Sequence, residues 1–146
     1  MSLTNAAENG LLSLFLENAN YANVGDATGL RGSTTAGVFW VSTHTANPNE
    51  TGTQTTSESA YTSYARVSVA RSTSGWTVAS GVGDNDGAIN FPQATGGSET
   101  ETHFGMGSDT SGTGNLFLWG ALTSSLPVSS GITPSFAAGA LDITLD

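Results

Sequence analysis

The chain has 146 residues, with 12 acidic side chains against three arginines and no lysine, a formal net charge of -9. Without a basic stripe to neutralise successive phosphates, nucleic-acid binding is not expected. Without cysteine, disulfides, thiolate zinc sites and cysteine nucleophiles are excluded, and the 59 of 146 residues that are Ser, Thr or Gly favour strands and turns over long helices. The length suits one domain spanning residues 1–146.

In chain order, Asn5 followed three residues later by Glu8 reads as a variant capping box, and Leu11, Leu12, Phe15 and Leu16 recur at helical spacing. A helix over about residues 5–18 is predicted. Its Leu11, Phe15 and Leu16 face needs cover, from its own sheet or from another subunit, and these three residues are the candidate interface. The same apolar stretch falls far short of the roughly 20 residues of a membrane span and lacks a basic leader, so neither a membrane segment nor a signal peptide is expected. Residues 18–33 read as a long connection broken by Gly25, Gly29 and Gly32.

Strands are predicted from about residue 36 to the end. Val38-Phe39-Trp40-Val41 continues into the β-compatible Ser42-Thr43-His44-Thr45; after the turn cluster at Asn47-Pro48, residues 53–63 read as an exposed loop of Thr, Ser and Glu. Residues 64–71 and 76–78 alternate and are expected to form a hairpin. The Gly81 to Gly87 segment reads as a turn, residues 88–91 as a short strand, and residues 102–106 as another. Leu116 to Leu122 is apolar on both alternating faces and is expected at the centre of the core, enclosing Trp119. Leu141, Ile143 and Leu145 alternate with Asp142, Thr144 and Asp146, giving a last strand with one wet face. The class expected is mainly β, a β-sandwich or jelly-roll-like domain with one N-terminal α-helix.

No catalytic constellation emerges. His44 and His103 are the only imidazoles and are far apart in sequence, so no metal site is expected; serines and acids abound without a Gly-x-Ser-x-Gly elbow. Glu99 and Glu101 share a strand face, an arrangement that suggests a glycosidase acid and base, yet a solvated acidic patch is the expected reading because no apolar burial is evident around them. Asp84-Asn85-Asp86-Gly87 has the flavour of a calcium loop, but Val82 stands where a ligand is needed, and Gly81-Val82-Gly83 has no lysine or following helix for phosphate. Trp40, Trp76 and Trp119 all fall in strand candidates, where core packing is expected and exposure would point to carbohydrate. Neither enzymatic activity nor a cofactor is expected.

The opening Leu3-Thr4-Asn5-Ala6 with Glu8 and Leu11-Leu12, the string Ser42-Thr43-His44-Thr45-Ala46-Asn47-Pro48, the string Ala60-Tyr61-Thr62-Ser63-Tyr64-Ala65-Arg66-Val67 and the close Phe136-Ala137-Ala138-Gly139-Ala140-Leu141 resemble a family of tailed-bacteriophage virion structural proteins. The resemblance spans nearly the whole chain. It implies a capsid decoration or cement protein on the outer surface of the major capsid protein shell, as a homo-oligomer with a trimer preferred. The alternative is a tail-fibre or receptor-binding module contacting the host. It brings no catalytic motif, and His44 is expected to be structural.

Overall fold

The computed structural model describes residues 2–145. They form one helix, α1 (Asn5–Leu16), and nine strands: β1 (Val38–His44), β2 (Val67–Ala70), β3 (Trp76–Ala79), β4 (Val82–Asn85), β5 (Ile89–Asn90), β6 (Ser98–Gly107), β7 (Leu116–Ser129), β8 (Ser135–Phe136) and β9 (Asp142–Thr144). The protein is mainly β with a single N-terminal helix and several antiparallel sheets, the class that the strand pattern predicts. The chain divides into two compact units whose segments interleave in sequence.

The first unit takes the N-terminal segment to Val38, Ala70–Ala88 and the C-terminal segment from Phe136. Its sheet runs β3-β4-β9. The cap of α1 is Thr4, one residue earlier than the Asn5 of the sequence signal: Thr4 is extended and its hydroxyl accepts from the Ala7 amide at 3.4 Å, satisfying a free donor of the first turn. Leu12 and Leu16 are buried, and a Cβ at Gly83 would collide with Leu16 Cδ1, so the helix docks where β4 carries no side chain. Residues 82–85 are therefore strand, not the turn expected, because β3 and β9 pair them on both sides. With no basic residue in its own last turn, α1 is closed by Arg71, which donates to the carbonyls of Leu14 and Phe15 at 2.6 Å each. Asn85, buried, donates to the carbonyls of Gly87 and Ala137 and accepts from the amides of Ala140 and Leu141, tying the closing segment to β4.

The second unit takes Phe39–Val69 and Ile89–Ser135, and its main sheet has the order β2-β1-β6-β7. The predicted hairpin between residues 64–71 and 76–78 is not formed: β2 pairs with β1, and β3 with β4. The expected central strand is also displaced. The strand enclosed on both faces is β1, including its polar Ser42, Thr43 and His44, whereas β7 lies at the sheet edge with alternating exposure. Trp119 is 37% and Phe117 46% exposed, overturning the expectation that Trp119 is core. Hydropathy misplaces the centre because β1 buries polar groups that bond one another, while β7 has a paired neighbour on one side only.

Candidate functional site

The segment from Thr53 to Ser63, expected to be an exposed loop, is built into the second unit by alternate side chains. Gln54 is buried: its amide oxygen accepts from the Asp109 amide at 2.9 Å, its amide nitrogen donates to the Asp109 carbonyl at 3.2 Å, and a Cβ at Gly107 or Gly114 would strike it. It plugs the connection between β6 and β7. Residues 57–59 run beside β1, with Thr45 donating to the Ser57 carbonyl at 2.8 Å and Ser59 to the Thr43 carbonyl at 2.9 Å. Next in the chain, the amides of Ala60 and Tyr61 donate to the Glu99 carboxylate at 3.0 to 3.1 Å. A stretch without an apolar face is thus ordered by hydrogen bonding, which periodicity does not register.

His44 is fully buried on β1. Its Nδ1 lies 2.9 Å from the Thr56 carbonyl, which can only accept, so Nδ1 carries the hydrogen and Nε2 accepts from the Ser42 hydroxyl, also at 2.9 Å. Burial lowers the His44 pKa and keeps the ring neutral. This is the contact of a serine–histidine pair, but both side chains are buried and a Cβ at Gly105 would come within 2.5 Å of Nε2. No room is left above the serine for a reacting carbonyl, so the pair packs β1 against the 53–59 segment. His103 is the register partner of His44, on β6; its Nδ1 is 2.8 Å from the Thr102 hydroxyl and its ring lies 6.1 Å from that of Trp119. The two imidazoles are brought together across a ladder, yet among the described residues no group of three or more His, Cys, Asp or Glu side chains converges as a metal site.

The acidic pair differs from its sequence reading. Glu101 is fully buried, and burial, with the neighbouring Glu99 carboxylate adding to it, pushes its pKa up to about 7. Ser59 donates a short hydrogen bond to Glu101 Oε2, and Thr43 lies 2.8 Å from the Ser59 hydroxyl. A solvated patch is therefore the wrong description of Glu101, because the 57–61 segment covers it. Nor is a glycosidase pair present: Glu101 is fully buried and Glu99 is held by two backbone amides, which leaves no access for a sugar. One layer further, Glu58 receives Arg66 Nε at 2.6 Å, Arg66 Nη2 at 2.7 Å and the Tyr64 hydroxyl at 3.0 Å, and Arg66 also donates to the carbonyls of Asp109 and Gly112.

The chemistry of this region is that of a closed polar lock, and the surface outside it is an uncharged edge. From residue 110 to residue 141 the chain carries no ionisable side chain, and β7 runs through that stretch with Phe117 and Trp119 outward. Comparison with known families gives the match that decides the affiliation: the podophage GP4 fiber I protein gp80 family is matched over residues 2–144. The chain belongs to this family. Comparison with curated proteins finds none that matches.

As a member of the gp80 fibre family the protein is a tailed-phage virion structural protein, and such families are typically non-enzymatic. Two of the strings that carry the resemblance fall on the lock: Ser42 to Pro48 supplies the end of β1 with His44, and Ala60 to Val67 supplies Tyr61, Tyr64 and Arg66. Of the three candidate interface residues on α1, Leu16 is fully buried within its own unit against β4 and offers no outward surface, while Leu11 and Phe15 are half-buried. The exposed aromatics of β7 were missed by sequence reasoning, although the missing charge from residue 110 onward was there to be read. Among the described residues no helix is long and apolar enough to cross a membrane.

Proposed function

We propose that the protein is a non-enzymatic fibre subunit of the virion that self-associates along the outward edge of β7. The observation that carries this reading is the fibre-family match across residues 2–144. It is supported by the edge strand: in a chain of net charge -9, copies repel wherever their carboxylates meet, and the uncharged strand with Phe117 and Trp119 is where that repulsion is weakest. A symmetric homo-oligomer, with a trimer preferred, fits such an edge. The net negative charge disfavours contact with nucleic acid, and no membrane partner is invoked.

Labelling intact particles with an antibody against this chain, together with its copy number per virion, tests the assignment. A few copies at the tail are expected. Dense labelling over the head would replace the fibre assignment by decoration of the major capsid protein shell, and absence from purified particles would defeat both.

A further inference from the structure

We propose that Glu99 and Glu101 form a proton-sharing latch that holds residues 57–61 against β1 and β6 while the pair keeps one proton, and releases them when that proton is lost to solvent. The two carboxyl groups come from positions i and i+2 of β6, so they share a strand face, and both lie against the 57–61 segment. Glu99 is placed as the accepting member, because both of its oxygens accept from the Ala60 amide and one also accepts from the Tyr61 amide.

Glu101 is placed as the protonated member. Its Oε2 accepts from the Ser59 hydroxyl, while its buried Oε1 meets no N–H or O–H donor. An ionised Oε1 there would be a buried acceptor left empty. A proton on Oε1, donated to Glu99, satisfies both carboxyl groups, and the hydrogens then run in one direction: Thr43 hydroxyl to Ser59, Ser59 hydroxyl to Glu101, Glu101 to Glu99.

Among the described residues no cation relieves the pair once the proton leaves. Arg66 is engaged with Glu58 and the carbonyls of Asp109 and Gly112. From the held segment, Tyr61 feels both carboxylates, but its phenol is pushed up to about 12 and stays neutral. On β1, His44 is neutral and turned to Ser42 and Thr56; along β6, His103 bonds Thr102. On β7 the register partners of the pair are Val128 and Leu126, which carry no charge. Two adjacent negative charges then push Glu99 away from the amides it holds. Since the folded pKa of Glu101, about 7, lies above the ordinary 4.5, the latch is intact below about 4.5 and is lost as pH rises through about 7.

The test is amide hydrogen exchange at Ala60 and Tyr61 in the full chain, expressed as protection factors across pH and compared with Glu101→Gln, whose amide donates to Glu99 at every pH. Wild-type protection at these amides is expected to fall about tenfold per pH unit between about pH 4.5 and pH 7 and to level off above, and the variant profile to stay flat. The same fall in both proteins would overturn the latch. Should Glu101→Gln not fold, the Glu101 side-chain carboxyl carbon is titrated by NMR in the wild type. A midpoint near 7 is expected, and one at the ordinary carboxylate position would overturn the proposal.

Discussion

Replacing Arg66 by Met removes the only cation of the lock while keeping most of the side chain's apolar volume. Arg66 is 6% exposed and makes two charge-assisted bonds to Glu58, at 2.6 and 2.7 Å, with two more to the carbonyls of Asp109 and Gly112. Asp109 and Gly112 are exposed, so water takes over their carbonyls at little cost, whereas Glu58 is left as a largely enclosed anion. Removing one partner of a buried pair costs about 3–5 kcal/mol, and the residual hydration of Glu58 places this case near 3 kcal/mol. For a chain of this size that corresponds to a fall in melting temperature of about 6–12 °C. The assay is thermal and urea unfolding of wild type, Arg66→Met, Glu58→Gln and the double variant, read as a double-mutant cycle. The double variant should recover much of the loss, because no unpaired charge remains. A loss below about 1 kcal/mol in Arg66→Met would show the pair to be solvated and refute the reasoning. A double variant as damaged as the single would assign the cost to packing.

Trp119→Ala should cost less than about 1 kcal/mol, because the ring is already partly in water, whereas Trp76→Ala, fully buried, should cost about 3–5 kcal/mol; paired denaturation curves measure both. If the edge of β7 joins copies, Trp119→Ala should also shift the sedimentation profile toward monomer at an unchanged melting temperature. Gly83→Val should loosen α1 by forcing a side chain into Leu16, at about 1–3 kcal/mol, visible as lost amide protection in residues 5–16 and refuted by wild-type protection there. The lowered pKa of His44 makes the unfolded chain the better proton acceptor below about 6.5, so stability should fall with pH from there by at most about 1.4 kcal/mol per unit. In His44→Gln that acid slope should flatten, and an unchanged slope would place the titration elsewhere.

The sequence by itself determined the class and the ends of the chain. Leu12 and Leu16 at helical spacing, the 59 Ser, Thr and Gly residues, and the alternation of Leu141, Ile143 and Leu145 are local signals that need no partner to be read, and each names an element that forms. The charge balance likewise follows from composition alone. The four strings of family resemblance pointed to a phage virion protein, the affiliation that the match over residues 2–144 shows.

Only the tertiary structure decided which strand is central, what residues 53–63 do and how Glu101 is charged. A strand's burial depends on what lies beside it, so the apolar run 116–122 ends at an edge while Ser42, Thr43 and His44 go inside, satisfied by Ser59, Thr56 and one another. Ser and Thr carry no hydrophobic periodicity, and a segment ordered by hydrogen bonds to distant groups reads as loop until those groups are in place. Glu99 and Glu101 look alike in sequence. Their difference arises because the chain returns 38 to 42 residues earlier in sequence to cover one of them with Ser59 and to give the other two amides, and a pKa is a property of that enclosure rather than of the residue.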